Sequence, residues 1–271
     1  MPEIENYSVY NDRMRRSMWD KAFFMDKVPG TELIVDYGCA DGSLIRFLHS
    51  LFPSMHFIGF DIDPEMIAAA SRENTPNTWY FSDPDEMLEK IASLGIERRR
   101  IAVNFSSVLH EIFHYDCDRD MITRLIDAIN PRYLVVRDMM YHSENESACI
   151  PQAAQDQIRS VLPAWQIEQF EARWGSIALR RNLAHLILKY KYTENWEREC
   201  AENYFSYTLE DLSGLLDPRG EFSPLLLSRY ILPWCRYDAE NNLGIDMGNE
   251  FTTHFSIILS RQYKQRPTLN A

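Results

Sequence analysis

Nothing in this chain approaches the roughly 18 consecutive apolar residues of a membrane-spanning helix, and the opening Met-Pro-Glu-Ile-Glu-Asn is acidic with no apolar run behind it. No membrane association and no signal peptide are therefore expected. Cysteine is scarce: five residues, at 39, 117, 149, 200 and 235, with no pair in C-x-x-C spacing. An odd, dispersed set supports neither a disulfide framework nor a structural zinc site, and a reducing cytoplasm is the expectation. Positive charge is also in deficit. The 28 Lys and Arg face 40 Asp and Glu, a net charge of −12, which opposes non-specific binding to nucleic-acid phosphates and polybasic attachment to a membrane. The short clusters Arg13/Arg15/Arg16, Arg98/Arg99/Arg100 and Arg180/Arg181 do not join into a stripe. There is no internal repeat and no low-complexity tract.

What the chain does have is the makeup of a globule with one sizeable core: 271 residues, 45% hydrophobic and 25% charged. Residues 7–26 carry Tyr7, Tyr10, Met14, Met18, Ala22 and Met25 at spacings of three or four, which predicts an amphipathic helix. Pro29-Gly30 ends it. Apolar runs of strand length then alternate with helical periodicity. Strands are predicted at Leu33–Tyr37, His56–Phe60, Trp79–Phe81, Ile101–Phe105 and Tyr133–Arg137. Helices are predicted between them at Ser43–Phe52, Pro64–Arg72, Asp85–Leu94 and Met121–Ile129. Continuous apolar strands separated by helices imply parallel pairing covered on both faces, hence an α/β doubly wound sheet. The rhythm breaks over 139–221, which reads as helical at Pro151–Val161, Asn182–Glu199 and Thr208–Leu216, the last with Thr208 and Asp211 spaced as a capping box. Two strand-like runs, Leu225–Leu232 and His254–Ser260, follow with a polar loop from Pro233 to Glu250, and predict an antiparallel hairpin. The expected architecture is a mostly parallel seven-stranded sheet closed by that hairpin. Its division is a helical lid (1–30), a core (31–138), an insertion on the substrate side (139–221) and the closing strands (222–271).

The first strand runs into its helix through Asp36-Tyr37-Gly38-Cys39-Ala40-Asp41-Gly42. Small residues at 38, 40 and 42 suit a tight turn with close ligand approach, and a helix N-terminus stands behind it. Asp61 ends the second strand, where a carboxylate accepts the hydroxyls of a ribose. A dinucleotide site asks for G-x-G-x-x-G, and this chain has G-x-A-x-G. The pattern resembles the first motif, D-x-G-x-G-x-G, of the class I S-adenosylmethionine-dependent methyltransferases, with alanine in place of the middle glycine. The resemblance spans about 33–138 plus the closing strands, and implies S-adenosylmethionine as cofactor. It places Asp61 on the ribose, Asp36 on the methionine amino group and Ser82-Asp83 on the adenine amine. Gly38, Ala40, Gly42, Ile62 and Asn104 complete the cofactor-binding set.

His110-Glu111-Ile112-Phe113-His114 also fits H-E-x-x-H, which on a helix binds zinc with the glutamate as base. It begins just after a parallel strand and no third ligand announces itself, so no metal is expected. In the resembled family this segment lines the sulfonium end of the cofactor. His110 or Glu111 is there the candidate proton acceptor, with a packing histidine as the plain alternative. Asn104-Phe105-Ser106-Ser107 lacks the [DN]-P-P-[YF] signature of DNA amino methylation. Asp238-x-Glu240-x-Asn242 is a poor calcium loop, with Leu243 where glycine is needed. Segments 106–115, 139–221 and 233–250 all leave the carboxyl edge of the sheet, and bring Tyr141, His142, Trp174, Trp196, Tyr204, Trp234 and Tyr237 to one rim. The expectation is methyl transfer to a small-molecule or peptide acceptor. A nicotinamide-dependent oxidoreductase and a cofactor-binding protein without activity are the alternatives.

Overall fold

A computed structural model describes residues 17–73, 75–142, 147–248 and 251–262. Seven strands form one sheet in the order β3-β2-β1-β4-β5-β7-β6: β1 (Leu33–Tyr37), β2 (His56–Phe60), β3 (Thr78–Phe81), β4 (Ile101–Ser106), β5 (Tyr133–Met139), β6 (Phe222–Tyr230) and β7 (His254–Arg261). The first five pair in parallel, and β7 inserts antiparallel between β5 and β6. Successive side chains of β1 point to opposite faces. Leu33, Val35 and Tyr37 pack into one helical layer, and Ile34 into the other beside Phe24 and Val28. The fold class is the one expected.

The helices between strands are α2 (Ser43–Leu51), α3 (Pro64–Arg72), α4 (Pro84–Ser93), α5 (Leu109–Tyr115) and α6 (Arg119–Ile129). Asp63 caps α3 by accepting the Glu65 N–H at 2.8 Å, with Pro64 at the first helical position. Ahead of them, α1 covers only Met18–Lys21 and gives way to turns, short of the helix expected through residue 26. The chain leaves the helical path to bury Phe24 completely under the sheet, a position off the stripe of Met18, Ala22 and Met25. The part of that helix at 7–16 lies outside the described residues.

The 139–221 segment contains α7 (Gln152–Val161), α8 (Ala164–Trp174), α9 (Arg180–Lys189), α10 (Trp196–Ala201) and α11 (Leu209–Leu216). The first four build a second core around Ile158, Phe170, Leu183 and Ile187. By contrast α11, with the capping box of Thr208 and Asp211 in place, packs beneath the main sheet through Leu212, Leu215 and Leu216. Two readings change here. Helix α8 was not expected, and the single helix over 182–199 is two, parted at residues 190–195 because buried Lys189 donates to the carbonyls of Glu199 and Glu202 and folds the chain back. The expected loop 233–250 also contains a short helix, α12 (Pro233–Asp238), whose Cys235 joins the second core. Among the described residues no helix is long and apolar enough to cross a membrane.

Candidate functional site

The β1–α2 loop is held in left-handed conformations at Gly38 (φ 76°), Ala40 (φ 46°) and Gly42 (φ 74°). A Cβ on Gly38 would sit 2.6 Å from Val108 Cγ2, and one on Gly42 would sit 2.7 Å from Tyr80 Cε1. The two glycines are thus demanded by positive φ and by the protein's own side chains. Ala40 takes the left-handed conformation with a Cβ, at a cost of about 1–2 kcal/mol. Replacing it should relieve more than the added freedom of the unfolded chain costs. Ala40→Gly is expected to raise stability by about 0.5–1 kcal/mol, roughly 1–3 °C in a thermal melt.

Asp61, at the end of β2, braces this loop: Oδ2 accepts the Ala40 N–H at 2.8 Å and Oδ1 the Asp63 N–H at 3.0 Å. Beside it opens a cavity with about 150 Å³ of space open to water, lined among others by Lys21, Asp36, Asp61, Ile62, Val108 and Glu111. Gly38 and Ala40 also line it; Gly42 does not. Asn104 stands behind the wall, fully buried, with Nδ2 donating to Asp36 Oδ1 at 2.7 Å. Burial raises the Asp36 carboxyl to about 6, against the opposing pull of Asn104 and Lys21. Burial, then the charge of Arg137, brings the Lys21 ammonium down to about 8. Ser82 and Asp83 lie outside the cavity. Asp83 is instead the N-cap of α4, accepting the Asp85 and Glu86 N–H groups at 2.8 and 3.0 Å, so the assignment of this pair to the cofactor is not carried by the geometry.

A second cavity, about 70 Å³, adjoins the first, and Ser107, Glu111 and Arg198 line both. The sheet floor of the second comes from Arg137, Met139 and His254, and its walls from Ser107 and Glu111 after β4, Tyr204 of the insertion and Trp234 of α12. The three segments expected to converge on this rim do so. Of the seven rim aromatics, Tyr204 and Trp234 line the cavity. Trp174 and Trp196 are tied into the insertion through Cys200 O and Gln169 Oε1, and Tyr237 is 66% exposed.

His110 lines the second cavity and is 3% exposed, with Nδ1 2.7 Å from Asp138 Oδ1 and Nε2 3.0 Å from Glu202 Oε1. Burial opposes charge on the ring, but Asp138 and Glu202 overcome it and lift the imidazole to about 10. With both ring nitrogens facing carboxylates, the surroundings of His110 favour a ring that holds its protons, the arrangement of a buried cation. Glu111 lines both cavities and pairs with Arg198 at 3.3 Å. Burial, then the charge of Glu202, raises its carboxyl above the usual range. His110, Glu111 and Glu202 bring one ligand-type atom each within 4.8 Å of one another, while His114, the second histidine of the H-E-x-x-H pattern, does not join them. The calcium-like Asp238 is a structural acceptor, reached by Tyr190, Lys191 and Asn242.

Sequence reasoning passed over Lys21, Arg137, Arg198, Glu202 and His254. None of them falls in a motif, and only the folded chain brings them to the two cavities. One signal was available, since a charge inside an apolar strand, as in Val136-Arg137-Asp138, needs a partner.

No protein-family profile matches the chain, and no curated protein is similar to it in sequence. Solved structures do match. The plantazolicin methyltransferase BamL, in complex with a triazolic desmethylPZN analog and SAH, superposes with a TM-score of 0.52 at 10% identity, covering 92% of this chain and 85% of that one. The SAM-dependent methyltransferase from Anabaena variabilis ATCC 29413 gives 0.49 at 16% identity over 92% and 85%. The plantazolicin methyltransferase BpumL, with a pentazolic analog and SAH, gives 0.49 at 12% over 94% and 89%. At these identities the likeness is one of fold: the chain has the Rossmann-like fold of the class I methyltransferases.

Proposed function

We propose that the chain is an S-adenosylmethionine-dependent methyltransferase acting on a small-molecule or peptide acceptor, with cofactor in the larger cavity and acceptor in the smaller. The observation that carries the reading is Asp61. A carboxylate has about four lone-pair sites, and the loop N–H groups take two of them. One lone pair on each oxygen is left, the complement of two adjacent ribose hydroxyls. The other end fits as well. Asp36, buried and costly to ionise alone, suits the cofactor's ammonium, and Lys21, lining the same cavity, suits its carboxylate. Met18 and Lys21 put the N-terminal segment over the cofactor cavity and Ser17 puts it over the acceptor cavity, in the manner of a lid.

When bound, the cofactor supplies a methyl group activated on a sulfonium, open to in-line displacement. The chain's own residues align the acceptor, exclude water and handle its proton. Glu111 is the residue for the last task, because it borders both cavities and its raised carboxyl is closer to neutrality than an exposed glutamate. Glu111→Gln is expected to lower kcat by about 100-fold or more with KM little changed, measured once an acceptor is in hand.

The test of the whole reading is stabilisation by S-adenosylhomocysteine beside NAD. At a hundredfold over Kd, a true ligand stabilises by about 2.7 kcal/mol, several degrees in a melt. Stabilisation by NAD alone would turn the assignment to a nicotinamide enzyme, against the G-x-A-x-G spacing. The pH profile is a second check. Asp36 must be ionised to hold an ammonium, so affinity for S-adenosylhomocysteine is expected to fall as pH drops through about 6; a flat profile there would remove Asp36 from the site.

A further inference from the structure

The acceptor cavity contains a buried guanidinium that the protein leaves incompletely matched. Arg137 is 2% exposed and lines the cavity. Its Nε donates to Asp20 Oδ2 at 2.6 Å and its Nη1 to Ser107 Oγ at 2.7 Å, while Nη2, shielded from water, has no hydrogen-bond partner among the described residues. Buried guanidinium donors are normally satisfied, since leaving one open forfeits its hydration without return. Asp20 is itself shared, because it also accepts from the Tyr230 hydroxyl at 3.1 Å.

The sheet register gathers more of the site around this side chain. Arg137 pairs with Ser256, and Met139 with His254, in the antiparallel β5–β7 ladder. Arg137, Met139, His254 and Ser256 therefore project from one face of the sheet. His254 Nδ1 lies 2.9 Å from Thr253 Oγ1, an oxygen already receiving the Leu232 N–H at 3.0 Å. The groups facing His254 are cationic: Arg137 from β5, His110 from α5 and Lys21 from α1. With burial first and these charges after it, its imidazole is kept neutral. The cavity floor thus presents the Arg137 guanidinium, with Nη2 unpartnered among the described residues, beside an uncharged ring, under the apolar side chains of Leu188, Leu232 and Trp234.

We propose that the acceptor is a carboxylic acid, and that Arg137 receives its carboxylate through Nη2 while the apolar wall takes the remainder. This rests on the methyltransferase reading above. A single negative charge matches the unpartnered Nη2 of Arg137. A dianionic phosphate would face Asp20, Glu111, Glu199 and Glu202 around the same space. Arg137 is then a specificity residue, setting which acceptor enters rather than taking part in bond making.

The experiment uses the full chain with saturating S-adenosylhomocysteine, titrated with acid and amide pairs: benzoic acid and benzamide, 4-hydroxybenzoic acid and its amide, N-acetylglycine and its amide. At least one acid is expected to bind tenfold or more tighter than its amide. The margin should vanish in Arg137→Gln. In Arg137→Lys, which keeps a charge opposite Asp20 and so protects folding, it should shrink to threefold or less. The Kd for S-adenosylhomocysteine is measured first for each variant, because Arg137 holds Asp20 and Ser107 beside the cofactor cavity, and the acids and amides are then compared on the saturated complex. Acids binding no tighter than their amides, or a margin that survives in Arg137→Lys, overturn the carboxylate assignment and leave the cofactor reading standing. A wild-type protein that ignores S-adenosylhomocysteine overturns the cofactor reading itself.

Discussion

Asp61→Asn is expected to weaken S-adenosylhomocysteine binding by about 100-fold or more, the largest single effect at the cofactor site. Two hydroxyl donors to an ionised carboxylate contribute about 1.5–3 kcal/mol each. At about 1.4 kcal/mol per factor of ten, their loss exceeds two decades in Kd. Asparagine keeps the shape but turns an amide donor toward the N–H of either Ala40 or Asp63. The loop therefore loosens as well, and a loss of about 1–2 kcal/mol in unliganded stability should accompany the binding defect. Calorimetric titration of wild type and variant separates the two. A variant that is less stable yet binds within threefold of wild type would assign Asp61 to the loop alone.

His110→Phe is expected to cost about 3–5 kcal/mol of folding stability near neutral pH, the range for removing one partner of a buried ion pair. Asp138, with 0% side-chain exposure, keeps the backbone N–H groups of residue 110 and Met139 but loses its countercharge, and Glu202 loses its nearest cation. The pH dependence has a definite sign. The folded-state value near 10 lies above the ordinary 6.5, so the ring's contribution is complete below about pH 6.5 and is lost as pH rises toward 10. Lys21 and Lys189, both brought down to about 8, change in the opposite sense, because folding favours their neutral forms. The informative quantity is therefore the stability difference between wild type and His110→Phe, measured by denaturant unfolding. It should narrow steadily between pH 6.5 and 10. A constant difference would mean that the ring is neutral in the folded state.

The sheet was legible because its parallel strands are apolar along most of their length and its helices have regular stripes. Leu33–Tyr37, His56–Phe60 and Pro64–Arg72 fall on the expected residues. So did the positions of Asp36 and Asp61, which follow from being at or near strand ends. The insertion was less legible. Helix α8 had Ile167, Phe170 and Trp174 at helical spacing, a signal present but unread behind Pro163. The break after Lys189 has no glycine or proline to announce it, since its cause is an ammonium reaching carbonyls 10 and 13 residues downstream. The role of His110 was also out of reach. Its partners come from β5 and from residue 202, and whether a histidine accepts or holds a proton depends on such partners.

The position of β7 in the sheet constrains how the molecule is made. During synthesis the five parallel strands leave the ribosome first, and the free side of β5 waits for a partner that arrives only at residue 254, after the whole insertion and β6. Pairings of such long sequence separation form slowly, and an unpaired apolar strand is open to other chains meanwhile. The insertion core borders this opening through Met139, Ile231 and Leu232, so a nascent chain that packs it early would shield the gap. A fragment ended at residue 142 retains the Asp36 and Asp61 loops but lacks the strand that covers β5, and is expected to aggregate rather than bind nucleoside.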